Sequence, residues 1–167
     1  MFFKCAHHAP AAETSGHTET VSRNNKHFTV DIHCHIHVPE ADEYVRQESP
    51  EFTGRTMVDS NPITSKINAE QQQTILPKLT DPEIRLNDMD AQGIDVQAIS
   101  TSPFHYNYVF DAEFTRETAR MVNDRIAEVV ASHPDRFVGL GTVPLQNPEM
   151  AVTELDRCID ELGFKGV

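Results

Sequence analysis

The chain has 167 residues, 38% of them hydrophobic and 24% charged, which suits one globular domain with its own core. Its formal net charge of −12, with no basic cluster, leaves nucleic-acid binding without an electrostatic footing. The apolar runs are only a few residues long, so no membrane span is predicted, and the opening MFFKC is too short for the apolar core of a signal peptide. Three cysteines, Cys5, Cys34 and Cys158, are widely spaced and form no CxxC pair. They predict neither a disulfide framework nor a zinc finger, and they fit a cytoplasmic protein.

Residues 1–27 are predicted to be a disordered leader, polar and without apolar period. His7, His8, His17 and His27 there read as solvated side chains. A strand is predicted over 29–37, in TVDIHCHIHVPE. Residues 38–80 show no clear period and read as a long insertion carrying Pro39, Pro50, Pro62 and Pro77, with short strands around Phe52–Val58.

Beyond Pro77 the pattern becomes regular. Asp81-Pro82-Glu83 is an N-cap, an N1 proline and an acidic first turn, and Gly93 is the stop of that helix. IDVQAIST, 94–101, is the next strand. A helix over 112–132 follows from the spacing of Phe114, Thr118, Met121, Val122, Ile126, Val129 and Val130, ended by His133-Pro134. RFVGLGTV, 136–143, is the third strand. A third regular helix opens at Asn147-Pro148 and closes at Gly163, and FKGV begins a fourth strand. Strands alternating with helices predict a parallel sheet with right-handed crossovers. A closed (β/α)8 barrel needs about 250 residues, so the fold class is α/β, the N-terminal half of a TIM barrel with an insertion after the first strand.

The first strand carries a polar row. Asp31, His33, His35 and His37 alternate with Val30, Ile32, Cys34 and Ile36. In a barrel strand one face meets the helices and the other fills the interior. The apolar set is assigned to the helices and the polar set to the interior. Burying imidazoles without partners costs several kcal/mol, on the order of other polar burials, and a divalent metal removes that cost. His33 and His35, two apart on a strand, are the candidate metal ligands; an exposed edge strand is the competing reading. His37, nearer the mouth, is a candidate for substrate contact, and Asp31 for buttressing a ligand. His105 and Tyr106, in the loop after the second strand, and Arg46 and Arg55, in the insertion, are candidates for contacting a carboxylated substrate, since guanidinium forks hold carboxylates. An ordinary solvated side chain is the alternative for His37, His105, Tyr106, Arg46 and Arg55, and capping of a buried hydrogen-bond network is the alternative for Asp31. His133 reads as a helix C-terminal residue favoured by the dipole.

VDIHCHIH resembles the Asp-x-His-x-His opening of the amidohydrolase superfamily. RLNDMDAQGIDVQAIS and TARMVNDRIAEVVASHPDRFVGLGTVPLQNPEMAVTELDRCIDELGFKGV are similar to its amidohydrolase-related branch, which contains aminocarboxymuconate-semialdehyde decarboxylase and resorcylate-type decarboxylases. The resemblance covers about 28–167 apart from the insertion. It implies a (β/α)8 barrel with one divalent metal, zinc or else manganese, held in part by His33 and His35. It places a third histidine ligand after strand 5, a catalytic histidine after strand 6 and an aspartate ligand after strand 8, all beyond this sequence. The function implied is decarboxylation of a small, carboxylated, aromatic-derived acid. A hydrolase or hydratase of the same superfamily and an inactive metal-binding fragment are the alternatives. The chain alone is expected to be inactive, with a small carboxylated substrate as partner of the whole enzyme and a homodimer of that enzyme left open.

Overall fold

The computed structural model describes residues 27–51 and 61–167. The predicted leader and the strands expected around Phe52–Val58 lie outside the described residues. Three strands, β1 (Val30–Ile36), β2 (Val96–Thr101) and β3 (Phe137–Gly139), form a parallel sheet in the order β1-β2-β3. β3 is shorter than the expected 136–143, but Leu140 continues its ladder by donating to the Ile99 carbonyl. The expected fourth strand is represented by two backbone bonds alongside β3, Lys165 N–H to Gly139 O and Gly141 N–H to Gly166 O.

The segment read as an unperiodic insertion contains two helices, α1 (Pro39–Glu48) and α2 (Pro62–Thr80). α1 starts with a proline at N1, which needs no amide partner, and buries only Ala41 and Val45. α2 is capped by Asn61, whose side chain accepts from the amides of Ile63 and Thr64. No residue of α2 is buried. Its apolar residues, including Ile63, Ile67, Ile75 and Leu76, are spread around the axis, so no amphipathic stripe marks it in the sequence.

The later helices follow their signals. Asp81 ends α2 by donating its amide to Pro77 O and opens α3 (Pro82–Gln92) by accepting from Glu83 N–H. Gly93 stops α3 at φ 71°, a left-handed conformation that favours glycine. α4 spans Ala112–Ser132 with Asp111 as its cap. α5 (Pro148–Asp156) continues as a π-turn over Arg157–Glu161.

One face of the sheet is packed. Cys34, Ile36, Ile99 and Phe137 meet Met89 of α3, Val122, Ile126 and Val129 of α4, and Cys158 beyond α5. The helices that follow β1, β2 and β3 therefore share one side, as in half of a barrel wall. The assignment of Val30 and Ile32 to that packed face is corrected: Val30 is 45% exposed and Ile32 77%. The register slips by one residue between Asp31 and Cys34, where the strict alternation of β1 breaks. No helix among the described residues is long and apolar enough to cross a membrane.

Candidate metal centre

β1 and β2 pair His35 with Ser100 and Cys34 with Ile99. Cys34 and Ile99 lie in the core, so His35 and Ser100 occupy the opposite face. The His33 ring stands edge-on to that of His35, centroids 5.1 Å apart. His33 is exposed and His35 half-buried. Burial holds the His35 imidazole below its usual pKa, more strongly than its bond to Thr101 raises it, with further lowering from His33 and Arg85. That favours the neutral ring, the form that ligates a metal.

The tautomer of His35 follows from its neighbours. Its Nδ1 lies 2.9 Å from the Thr101 carbonyl oxygen, which can only accept, so Nδ1 carries the proton and Nε2 the lone pair. A divalent cation fits these donors: two adjacent imidazoles, one already presenting Nε2.

The slip in register separates Asp31 from the histidine row, correcting its assignment to their face. Asp31 pairs with Gln97, on the same face as Cys34. Its carboxylate accepts from Gln97 Nε2 at 3.2 Å and from the His33 backbone amide at 3.1 Å, bracing the bulge rather than an imidazole. Burial would raise its pKa, but bonds from Cys34, the His33 amide and Gln97 outweigh burial and hold it below the usual value. Arg85 reaches the same region, donating to Gln97 Oε1 and to the His35 carbonyl.

At the mouth, His37, Asp42 and His105 converge. His37 Nε2 is 3.0 Å from Asp42 Oδ2 and His105 Nδ1 is 3.4 Å from Asp42 Oδ1. The two rings stack at 4.7 Å, and the three potential ligand atoms lie within 4.8 Å of one another. The chemistry nonetheless closes this cluster to a cation. The Val38 amide donates to His105 Nε2 at 2.9 Å, so Nδ1 must carry the proton of the neutral ring. A metal on Nδ1 would require an imidazolate or loss of the buried Val38 bond. The cluster is a clamp joining the end of β1, α1 and the turn after β2.

The remaining candidates lie apart. Arg46 is exposed on α1 and pairs with Glu43 at 2.8 Å. Arg55 lies outside the described residues. Tyr106 is partly exposed and stacks parallel to Tyr108, centroids 5.8 Å apart, and Tyr108 donates its hydroxyl to Val143 O. His133 caps α4 and pairs with Glu83 at 3.3 Å. Asp42, Ser100 and Tyr108 escaped the sequence reading. Ser100, polar near the C-terminal end of a buried strand, left a weak signal; Asp42 resembles any acid in a first helical turn.

A family model for amidohydrolases matches residues 30–167. The 2-amino-3-carboxymuconate-6-semialdehyde decarboxylase of Dictyostelium discoideum is 39% identical over 87 residues, 52% of this chain and 24% of that protein. The gamma-resorcylate decarboxylase of Polaromonas sp. is 37% identical over 114 residues, 68% of this chain and 34% of that protein. Among solved structures, 5-carboxyvanillate decarboxylase of Novosphingobium aromaticivorans, complexed with manganese and 4-hydroxy-3-methoxy-5-nitrobenzoic acid, superposes with a TM-score of 0.72 at 29% identity, over 92% of this chain and 44% of that one. The chain thus spans less than half the length of each.

Proposed function

This chain belongs to the amidohydrolase family, and on that premise we propose that it forms the N-terminal part of a metal-dependent carboxy-lyase acting on a small carboxylated aromatic acid. The observation that carries the reading is the adjacent imidazole pair, His33 and His35, with the second held as the Nε2 donor. The decarboxylase relatives supply the reaction class.

His33 and His35 would hold the divalent cation. A cation bound there supplies Lewis-acid polarisation of a substrate oxygen. Imidazole donors favour zinc on affinity, whereas the manganese of the carboxyvanillate enzyme supports manganese. Elemental analysis of the purified protein decides between them. His35 orients its lone pair through Thr101, and Asp31 braces the backbone of His33. The partly exposed ring of Tyr106 offers a flat apolar surface to an aromatic acid. None of the described residues is assigned the proton that replaces the departing carbon dioxide; the family resemblance implies a histidine after strand 6 for that role. A cytoplasmic setting belongs to the same reading.

The test combines residues 1–167 with the remaining β/α units of a decarboxylase relative supplied in trans. The chain alone should bind a divalent metal and release no carbon dioxide from carboxylated aromatic acids; the combination should release it. His33→Ala and His35→Ala should each lose metal. Retention of metal by both variants overturns the site, and a hydrated product in place of carbon dioxide reassigns the enzyme as a hydratase.

A further inference from the structure

We propose that Ser100 is a positioning residue for His35, holding the ring so that Nε2 faces the cation. The inference rests on the reading of His35 as a ligand. Ser100 lies directly across the ladder from His35, and its Oγ is 3.1 Å from His35 Nδ1. A hydroxyl has one proton, and that of Ser100 is donated to the Cys34 carbonyl at 3.2 Å. Oγ therefore turns a lone pair toward Nδ1. The Thr101 carbonyl, at 2.9 Å from the same nitrogen, also only accepts. Two acceptors from adjacent residues of β2 thus share one imidazole proton.

This arrangement does more than either bond alone. The carbonyl of Thr101 selects the tautomer whatever the side chain at position 101. The hydroxyl of Ser100 adds a second, off-axis contact that opposes rotation of the ring about χ2. The opposite tautomer would bring a bare Nδ1 lone pair against the carbonyl oxygen. It would also draw the Ser100 proton away from Cys34 O. Metal-bound histidines commonly donate their second ring N–H in this way, and loss of the acceptor weakens metal binding by roughly 10–100-fold. Because the Thr101 carbonyl survives any substitution of Ser100, the lower end of that range applies here.

The experiment uses residues 1–167 with Zn²⁺ as the probe. Zinc affinity is measured by competition with a chromophoric chelator at neutral pH, and the His35 tautomer by ¹⁵N NMR of the metal-free protein. Ser100→Ala should bind zinc about tenfold more weakly and, while keeping the tautomer that the Thr101 carbonyl selects, show His35 ring ¹⁵N signals broadened by the freed rotation about χ2. Ser100→Thr, which keeps the hydroxyl, should restore both. Wild-type affinity in Ser100→Ala overturns the positioning role, and so does equal loss in the alanine and threonine variants. Wild-type affinity in His35→Ala sinks the ligand reading itself, whereas loss in His35→Ala with none in Ser100→Ala sinks only the role of Ser100.

Discussion

The backbone N–H of Val38 donates to Nε2 of His105 across 2.9 Å, 67 residues away in sequence. Both residues are buried, and α1 has no side-chain cap at its N-terminus, so this bond anchors the helix where it leaves β1. Removing the imidazole strands a buried amide, which costs about 1–3 kcal/mol. His105→Ala is therefore expected to lower unfolding free energy by that amount in urea titrations. Zinc affinity should be unchanged, because His105 has no lone pair to offer; a large loss of zinc would return His105 to the ligand set.

Asp42 ties acid stability to the same clamp. Burial alone would raise its pKa, but the hydrogen bond from His37 and the fields of His105 and His37 outweigh burial and hold it below its ordinary 3.8. A carboxyl depressed in the folded state stabilises the fold fully above its unfolded pKa and loses that contribution as pH falls through the folded value. Stability should thus decline below about pH 3.8, and Asp42→Asn should flatten that part of the curve. Superimposable acid limbs for the two proteins would refute the assignment.

Gly139 is a close-packing position in β3. A Cβ there would lie 2.4 Å from Phe164 Cδ1 and 3.1 Å from Ile126 Cγ2. Phe164 is itself buried, so its ring has little room to retreat. Gly139→Ala should destabilise the protein by about 1–3 kcal/mol through overpacking, and Gly139→Ala with Phe164→Leu should recover part of the loss.

Glu154, 2% exposed, holds the end of α5 to α4. Its carboxylate accepts from Asn123 Nδ2 at 2.8 Å and from the Arg157 guanidinium at 2.7 Å, while Asn123 clasps the backbone of Thr142. Glu154→Ala leaves these donors without their shared acceptor and should cost about 3 kcal/mol. Glu154→Gln keeps one acceptor oxygen and should cost less. Thermal melts of the two variants check the order.

The uncovered face of β1 predicts self-association of the isolated chain. Val30 and Ile32 are exposed on β1, and exposed apolar strand surface favours aggregation. Light scattering should find oligomers of residues 1–167, reduced by Ile32→Glu. A stable monomer would remove this expectation.

Short-range pattern determined most of the framework. Proline at N1 and glycine at the stop marked α3 and the segment from α5 to Gly163, because those residues act through their own backbone geometry. The spacing of Val122, Ile126 and Val129 marked α4, and the i, i+2 spacing of His33 and His35 brought two imidazoles side by side. Pattern failed for α2, which buries nothing and leaves no stripe, and for α1, whose buried pair Ala41 and Val45 is a single i, i+4 repeat in a short helix. It failed for Asp31, because the slip that turns it toward Gln97 depends on how β1 meets β2. The union of His37, Asp42 and His105, and that of His35 with Ser100, belonged to tertiary structure alone. Such contacts join residues whose separation along the chain carries no period; they exist only once the parallel pairing of β1 with β2 has set which side chains stand opposite each other.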